Sequence, residues 1–265
     1  GDEASLIAGG QSLVPLLNRR LARPEVVLDL RRIANLAVFE FSEQGFRAGA
    51  TTPLAEIEAH PSTRLIPGLQ ASIRHIAHSQ IRARTTFGGS IAHADPAAEL
   101  PAVLSALEGG VRVLGPSGAR WVSAADFFQN YLTVDMRADE LLTEIRIPVR
   151  NNLVWGVREY ARRAGDFALA GAIVVAEMDG GRCVHARAIA FGVGDRPIRL
   201  RRAEALMLDC SLNGGNANDV AKAAVDGLDS HTDLHASAAY RNHLAEVMIR
   251  RAYLDVVSMC QRPKV

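Results

Sequence analysis

Two glycine pairs set the terms for this chain. One lies in Ala8-Gly9-Gly10-Gln11-Ser12 and the other in Thr85-Thr86-Phe87-Gly88-Gly89-Ser90, each set among hydroxyls or an amide. Glycine permits positive φ and lets another group approach the backbone closely. Successive N–H groups in such a loop turn toward one point and suit a phosphate or pyrophosphate. Either pair alone is explained equally well by a turn. Alike in chemistry and far apart in sequence, together they predict two loops that close on one diphosphate from both sides.

The pattern around them places the loops on a scaffold. Residues 6–7 read as the end of a strand and 13–21 as a helix with Leu13, Leu16, Leu17 and Leu21 on one face. That puts the first loop at a helix N-terminus, where an anion is favoured. Residues 26–30 read as a buried strand, and 36–41 with 46–50 as a hairpin turning at 42–45. Thr52 and Pro53 provide an N-cap and a first helical residue for a helix to about 59. Leu69, Ile73 and Ile76 mark a further helix. Asp95-Pro96 starts a helix to about 107, stopped by Gly109-Gly110, and 111–114 is a strand. Ser123 caps a short helix over 124–128, and 141–149 alternates as a strand.

A composition break at Arg150-Asn151-Asn152 is the expected boundary between domains 1–150 and 151–265. Beyond it, 155–161, 168–178 and 182–192 are strand-like, the last two joined by Asp179-Gly180-Gly181, a hairpin signal. Helices follow over 198–208, 217–228 and 238–259. Strands followed by helices predict an α+β layer, a sheet with helices on one face.

Several functions are excluded. A net charge of +1 predicts no attraction to nucleic acid or acidic membrane. No apolar run reaches membrane-spanning length, and no signal-peptide profile opens the chain. Cys183, Cys210 and Cys260, odd in number and widely spaced, read as reduced thiols of a cytoplasmic protein. No G-x-G-x-x-G follows a strand, so a Rossmann site is not predicted. Ser12 and Ser90 lack the G-x-S-x-G of a hydrolase nucleophile. His75, His78 and His93 have no further metal ligand at suitable spacing. The arginines of 196–202 read as mostly solvated. Asp95 is either a helix cap or a ligand contact, and Glu99, one turn on, could reach a ribose hydroxyl.

Four segments carry a resemblance: A-G-G-Q-S-L at 8–13, R-P-E-V-V-L-D-L at 23–30, I-R-A-R-T-T-F-G-G-S-I-A-H-A-D-P-A-A-E-L-P at 81–101 and L-L-T-E-I-R-I-P at 141–148. In this order and spacing they resemble the FAD-binding medium subunits of molybdenum hydroxylases, among them the carbon monoxide dehydrogenase medium subunit and the central domain of xanthine dehydrogenase. The tail, with V-M-I-R-R-A at 247–252, resembles the family's C-terminal domain. The resemblance implies an α+β FAD-binding fold of two subdomains, of the vanillyl-alcohol-oxidase type, followed by a small α+β domain. It implies that Ala8, Gly9, Gly10, Gln11 and Ser12, with Thr86, Phe87, Gly88, Gly89 and Ser90, grip the FAD pyrophosphate, and that Leu13 beside them also contacts FAD. Asp95 and Glu99 match acidic positions near FAD, Leu142 a position beside the flavin, and Phe167 one where several relatives have Tyr. Ser90 stands where relatives often have Asn. With no His or Cys in either loop, the FAD is expected to be non-covalent. Relatives also carry a strand and helix ahead of the first glycine loop, so a segment ahead of residue 1 is expected.

The activity so implied is electron transfer in a three-subunit enzyme, with no catalytic side chain in this chain. The molybdenum cofactor is expected in a molybdopterin-binding large subunit and the [2Fe-2S] clusters in a small subunit, with a small molecule or carrier protein as electron acceptor. The alternative is a nucleotide-binding or assembly module without redox turnover.

Overall fold

The computed structural model describes residues 3–42, 45–66, 68–150 and 152–261. Strand β1 (Ala4–Ile7) leads into the first glycine pair, helix α1 (Leu13–Asn18) follows, and β2 (Val26–Asp29) returns parallel to β1 with Leu6 opposite Leu28. The expected burial of this second strand is corrected: Val26 and Leu28 are each 51% exposed. A ribbon of two strands has too little width to bury a face.

Strands β3 (Phe39–Ser42) and β4 (Gly45–Gly49) pair antiparallel, and the turn expected between them includes 43–44, outside the described residues. Helix α2 (Leu54–Ala59) starts one residue later than expected. Pro53 is its cap, and the Thr52 carbonyl accepts instead from Phe87 N–H at 2.9 Å. Helices α3 (Leu69–His75) and α4 (Ser79–Arg82) lead to α5 (Phe87–His93), and Gly88 and Gly89 lie in the first turn of α5. The second glycine pair is therefore helical, not a loop. Helix α6 (Glu99–Ala106) also starts late. Ala94 takes φ 51°, the Asp95 carboxylate accepts from Ala97 N–H at 2.8 Å, and Ala98 is the cap. Asp95 closes a turn and caps no helix.

Strands β5 (Gly110–Gly115) and β6 (Gly118–Ser123) form a hairpin, and α7 (Ala124–Phe127) is capped by Ser123, as expected. A small hairpin, β7 (Phe128–Asn130) with β8 (Thr133–Val134), precedes β9 (Leu141–Ile147). The first large sheet runs β3-β4-β9-β5-β6.

The expected boundary at 150–152 includes Asn151, outside the described residues. The second sheet is built from β10 (Leu153–Tyr160), β11 (Ala170–Asp179), β12 (Arg182–Phe191) and β13 (Ile198–Arg199), antiparallel and in that order. Gly180 and Gly181 both take positive φ, as a tight hairpin turn requires. Strand β13 takes the start of an expected helix, leaving α8 (Arg201–Met207); α9 (Ala217–Val225) and α10 (Ala238–Cys260) complete the chain.

Alternation along the strands sorts two cores. Ile173, Val175, Ile189 and Phe191 join the core that holds α6, while Ala172, Val174, Ala188 and Ala190 face α8, α9 and α10. The sheet is thus covered on both faces, which explains the unbroken apolar run of β11. The arginines near 196–202 are more engaged than expected. Arg199 grips the buried Glu204, Arg196 donates to the Phe128 carbonyl at 3.0 Å and Arg202 pairs with Asp226. Among the described residues no helix is long and apolar enough to cross a membrane.

Arg241, on α10 and 3% exposed, ties the end of this sheet together. Its guanidinium donates to the carbonyls of Leu169 and Gly192 and to Asp233 at 2.7 Å. Replacing it leaves two buried carbonyls without this donor, so Arg241→Met should cost about 3 kcal/mol in chemical denaturation. A loss below about 0.5 kcal/mol, the size of an exposed pair, would reject the buried-clamp account.

Candidate functional site

The two glycine pairs meet. A Cβ on Gly9 would overlap the carbonyl oxygen of Arg84, immediately ahead of the second segment, so the first loop lies directly on that backbone. Gly10 holds φ 76°, a turn that favours glycine, and its carbonyl accepts from Val14 N–H to begin α1. In α5 the requirement is close packing rather than positive φ. A Cβ on Gly88 would stand 2.5 Å from Ala50 Cα, and one on Gly89 2.7 Å from Thr86 Oγ1. That hydroxyl caps α5 by accepting Gly89 N–H at 3.1 Å. The same imagined Gly89 Cβ would sit 3.9 Å from the Ala8 side chain, so the two segments form one wall.

This wall belongs to a cavity of about 590 Å³, within the range of small-molecule and cofactor sites. Of the residues expected at the site, Ala8, Gly9, Gly10, Gln11, Ser12, Leu13, Thr86, Gly88, Gly89, Ser90, Asp95, Glu99, Leu142 and Phe167 all line it. Phe87 does not: its ring is fully buried and packs near Phe46, centroids 6.0 Å apart. Helical geometry turns it to the core while its glycine neighbours face the cavity. Sequence motifs missed Ile76, Ile81, Met136 and Leu141, which supply apolar wall, and Asp166 beside Phe167. Their only signal was membership of ordinary hydrophobic or loop segments.

The polar groups fit a bound nucleotide. Among the described residues the side chains of Gln11, Ser12 and Ser90 make no hydrogen bond, and no lysine or arginine lines the cavity. An anion here would therefore be met by N–H groups and hydroxyls. Thr86 spends a lone pair on Gly89 N–H and keeps its proton free to donate.

Glu99 is the electrostatic exception. It is 5% exposed, and burial pushes its carboxyl up to about 8, with the Glu159 charge and then Asp95 adding to the rise. At neutral pH it is mainly the uncharged acid, able to donate a hydrogen bond. Glu159, on β10, faces His75 Nδ1 at 3.3 Å, and its other oxygen is buried without a partner among the described residues. The contact raises the His75 imidazole. His75 is thereby accounted for as an acid's partner, and among the described residues no set of three His, Cys, Asp or Glu converges to hold a metal.

Residues 1–150 match the family described as the FAD binding domain in molybdopterin dehydrogenase, and residues 155–256 the CO dehydrogenase flavoprotein C-terminal domain. The chain is 38% identical to the 6-hydroxypseudooxynicotine dehydrogenase complex subunit alpha of Paenarthrobacter nicotinovorans, over 95% of this chain and 86% of that one. It is 35% identical to the carbon monoxide dehydrogenase medium chain of Afipia carboxidovorans, over 95% and 88%. Among solved structures, quinoline 2-oxidoreductase from Pseudomonas putida 86 superimposes with a TM-score of 0.93 at 35% identity, covering 98% of this chain and 92% of that one.

Proposed function

We propose that this chain, which belongs to the FAD-binding medium subunits of the molybdenum hydroxylase family, receives electrons from the iron–sulfur clusters of a small partner subunit and delivers them to an external acceptor. It is an oxidoreductase subunit with the family's α+β FAD-binding fold, and the molybdenum cofactor and iron–sulfur clusters belong to other subunits. The reading divides the chain into an FAD-binding domain over 1–150 and a C-terminal domain over 151–265. It assembles the chain with an iron–sulfur small subunit and a molybdopterin-binding large subunit, in the cytoplasm.

Bound FAD would supply the conversion between single electrons and an electron pair. The chain's own residues hold and shield. Gly9, Gly10, Gly88 and Gly89 let the two segments close together beside the diphosphate, and the hydroxyls of Ser12, Thr86 and Ser90 donate to it. Glu99, uncharged, offers its proton to a hydroxyl or ring acceptor. Leu142 with Ile76 and Met136 excludes water from an apolar ring, and Phe167, 64% exposed, stands at the mouth.

The observation that carries this reading is the meeting of the two glycine pairs on one cavity, at positions where a side chain would collide. The visible spectrum of the purified chain tests it, followed by release and chromatography of any flavin. A yellow protein yielding FAD without proteolysis supports non-covalent binding. A colourless chain that takes up no added FAD, alone or with its partner subunits, would favour an assembly module instead.

A further inference from the structure

The three cysteines are remote in sequence, and the fold gathers them at one end of the second sheet. Cys183, near the start of β12, is fully buried; Cys210 follows α8 and Cys260 ends α10, both half-buried. Burial pushes the Cys183 thiol up to about 11, and the Cys260 and Cys210 thiols add to the rise.

Cys183 and Cys210 are also joined through the backbone. Cys183 N–H donates to the Cys210 carbonyl at 2.9 Å, and Asp209 N–H donates to the Cys183 carbonyl at 2.9 Å. Asp209 holds φ 57°. Two residues set against one, the first left-handed, is the geometry of a β-bulge. A regular antiparallel pair that exchanges both such hydrogen bonds has Cα atoms about 5.5 Å apart, and here Cys183 shares its two bonds between Cys210 and Asp209. A disulfide requires roughly 4.4–6.8 Å. The direct backbone hydrogen bond therefore holds Cys183 and Cys210 as neighbours, the first requirement for such a bond.

The geometry points to Cys183 and Cys210 as the partners of a reversible disulfide that forms under oxidation by peroxide. Cys210, the more accessible thiol, attacks hydrogen peroxide; the O–O bond breaks, Cys210 becomes the sulfenic acid and one water leaves. The Cys183 sulfur then attacks the Cys210 sulfur, breaking the S–O bond, and its proton leaves with the hydroxyl as a second water. Two thiols are oxidised and one peroxide is reduced to two waters. The reluctance of the buried Cys183 thiol to ionise makes the second step slow at neutral pH and faster as pH rises. The bond would pin the start of β12 to the end of α8.

The test is peroxide treatment of the folded full chain, followed by alkylation, digestion without reductant and mass spectrometry. A Cys183 peptide linked to a Cys210 peptide within one chain is expected, two hydrogens lighter than the reduced pair and released by dithiothreitol. Cys260→Ser should leave the link intact, Cys210→Ser should abolish it, and the linked chain should melt at a higher temperature than the reduced one. Should Cys183→Ser fail to fold, the more accessible Cys210→Ser variant still decides. A link through Cys260, a link only between chains, or thiols that end as sulfonic acids without any link would each overturn the assignment.

Discussion

Gly89→Asp should abolish FAD binding. Its Cβ would stand 2.7 Å from Thr86 Oγ1, the hydroxyl that caps α5, and its carboxylate would enter the wall where a diphosphate is to be held. A like charge at contact costs about 4 kcal/mol at the effective dielectric of a partly exposed site. That alone is about a thousandfold in affinity. Gly89→Ala keeps the collision without the charge and should cost about tenfold. Titration of the flavin-free chain with FAD, followed by flavin fluorescence, measures both. If the aspartate variant loses its melting transition, the alanine variant carries the test. Unchanged affinity in both would mean that the diphosphate does not lie against α5.

The same glycine shows what a sequence can and cannot disclose. The pairs at 9–10 and 88–89 were legible as parts of one site, because few other roles ask for two such pairs beside hydroxyls. Why the second pair is glycine was not legible. Its cause is Ala50 and Thr86 pressing on the first turn of a helix, a contact that only the tertiary structure supplies. Asp95-Pro96 reads as a helix start by local rules, yet the left-handed Ala94 and the Asp95 turn delay α6 to Glu99. That delay places Glu99 in the first turn of α6, buried in the cavity wall. Strands β11 and β12 were readable because two strand-like apolar stretches flank a Gly-Gly turn. β6 was missed because Arg120 and Trp121 interrupt its apolar pattern, and the exposure of β2 could not be seen because burial depends on what covers a strand. The cysteines' spacing, sparse in sequence, said nothing of their convergence.

Glu99 should make the chain's stability and its hold on FAD fall together as pH rises. Its carboxyl titrates at about 8 in the fold, raised from an ordinary value of 4.5 by burial first and by Glu159 second. Between those values the folded chain keeps a proton that the unfolded chain has lost, so stability declines with pH. The contribution is fully present below 4.5 and is lost as pH rises through about 8. Each tenfold difference in proton affinity between the folded and unfolded chain is worth about 1.36 kcal/mol. His75, raised through Glu159, contributes with the same sign, so wild type alone cannot separate the two. Glu99→Gln can, because it keeps a donor, removes the titration and leaves His75 paired with Glu159. Relative to wild type, the variant should gain stability as pH rises from 5 to 9, and its affinity for FAD should stay flat where wild type weakens above about 8. Parallel curves for the two proteins, in both denaturation and FAD titration, would mean that Glu99 is already ionised at neutral pH. In that case the site would hold its cofactor beside a buried negative charge, and the donor role of Glu99 would fall.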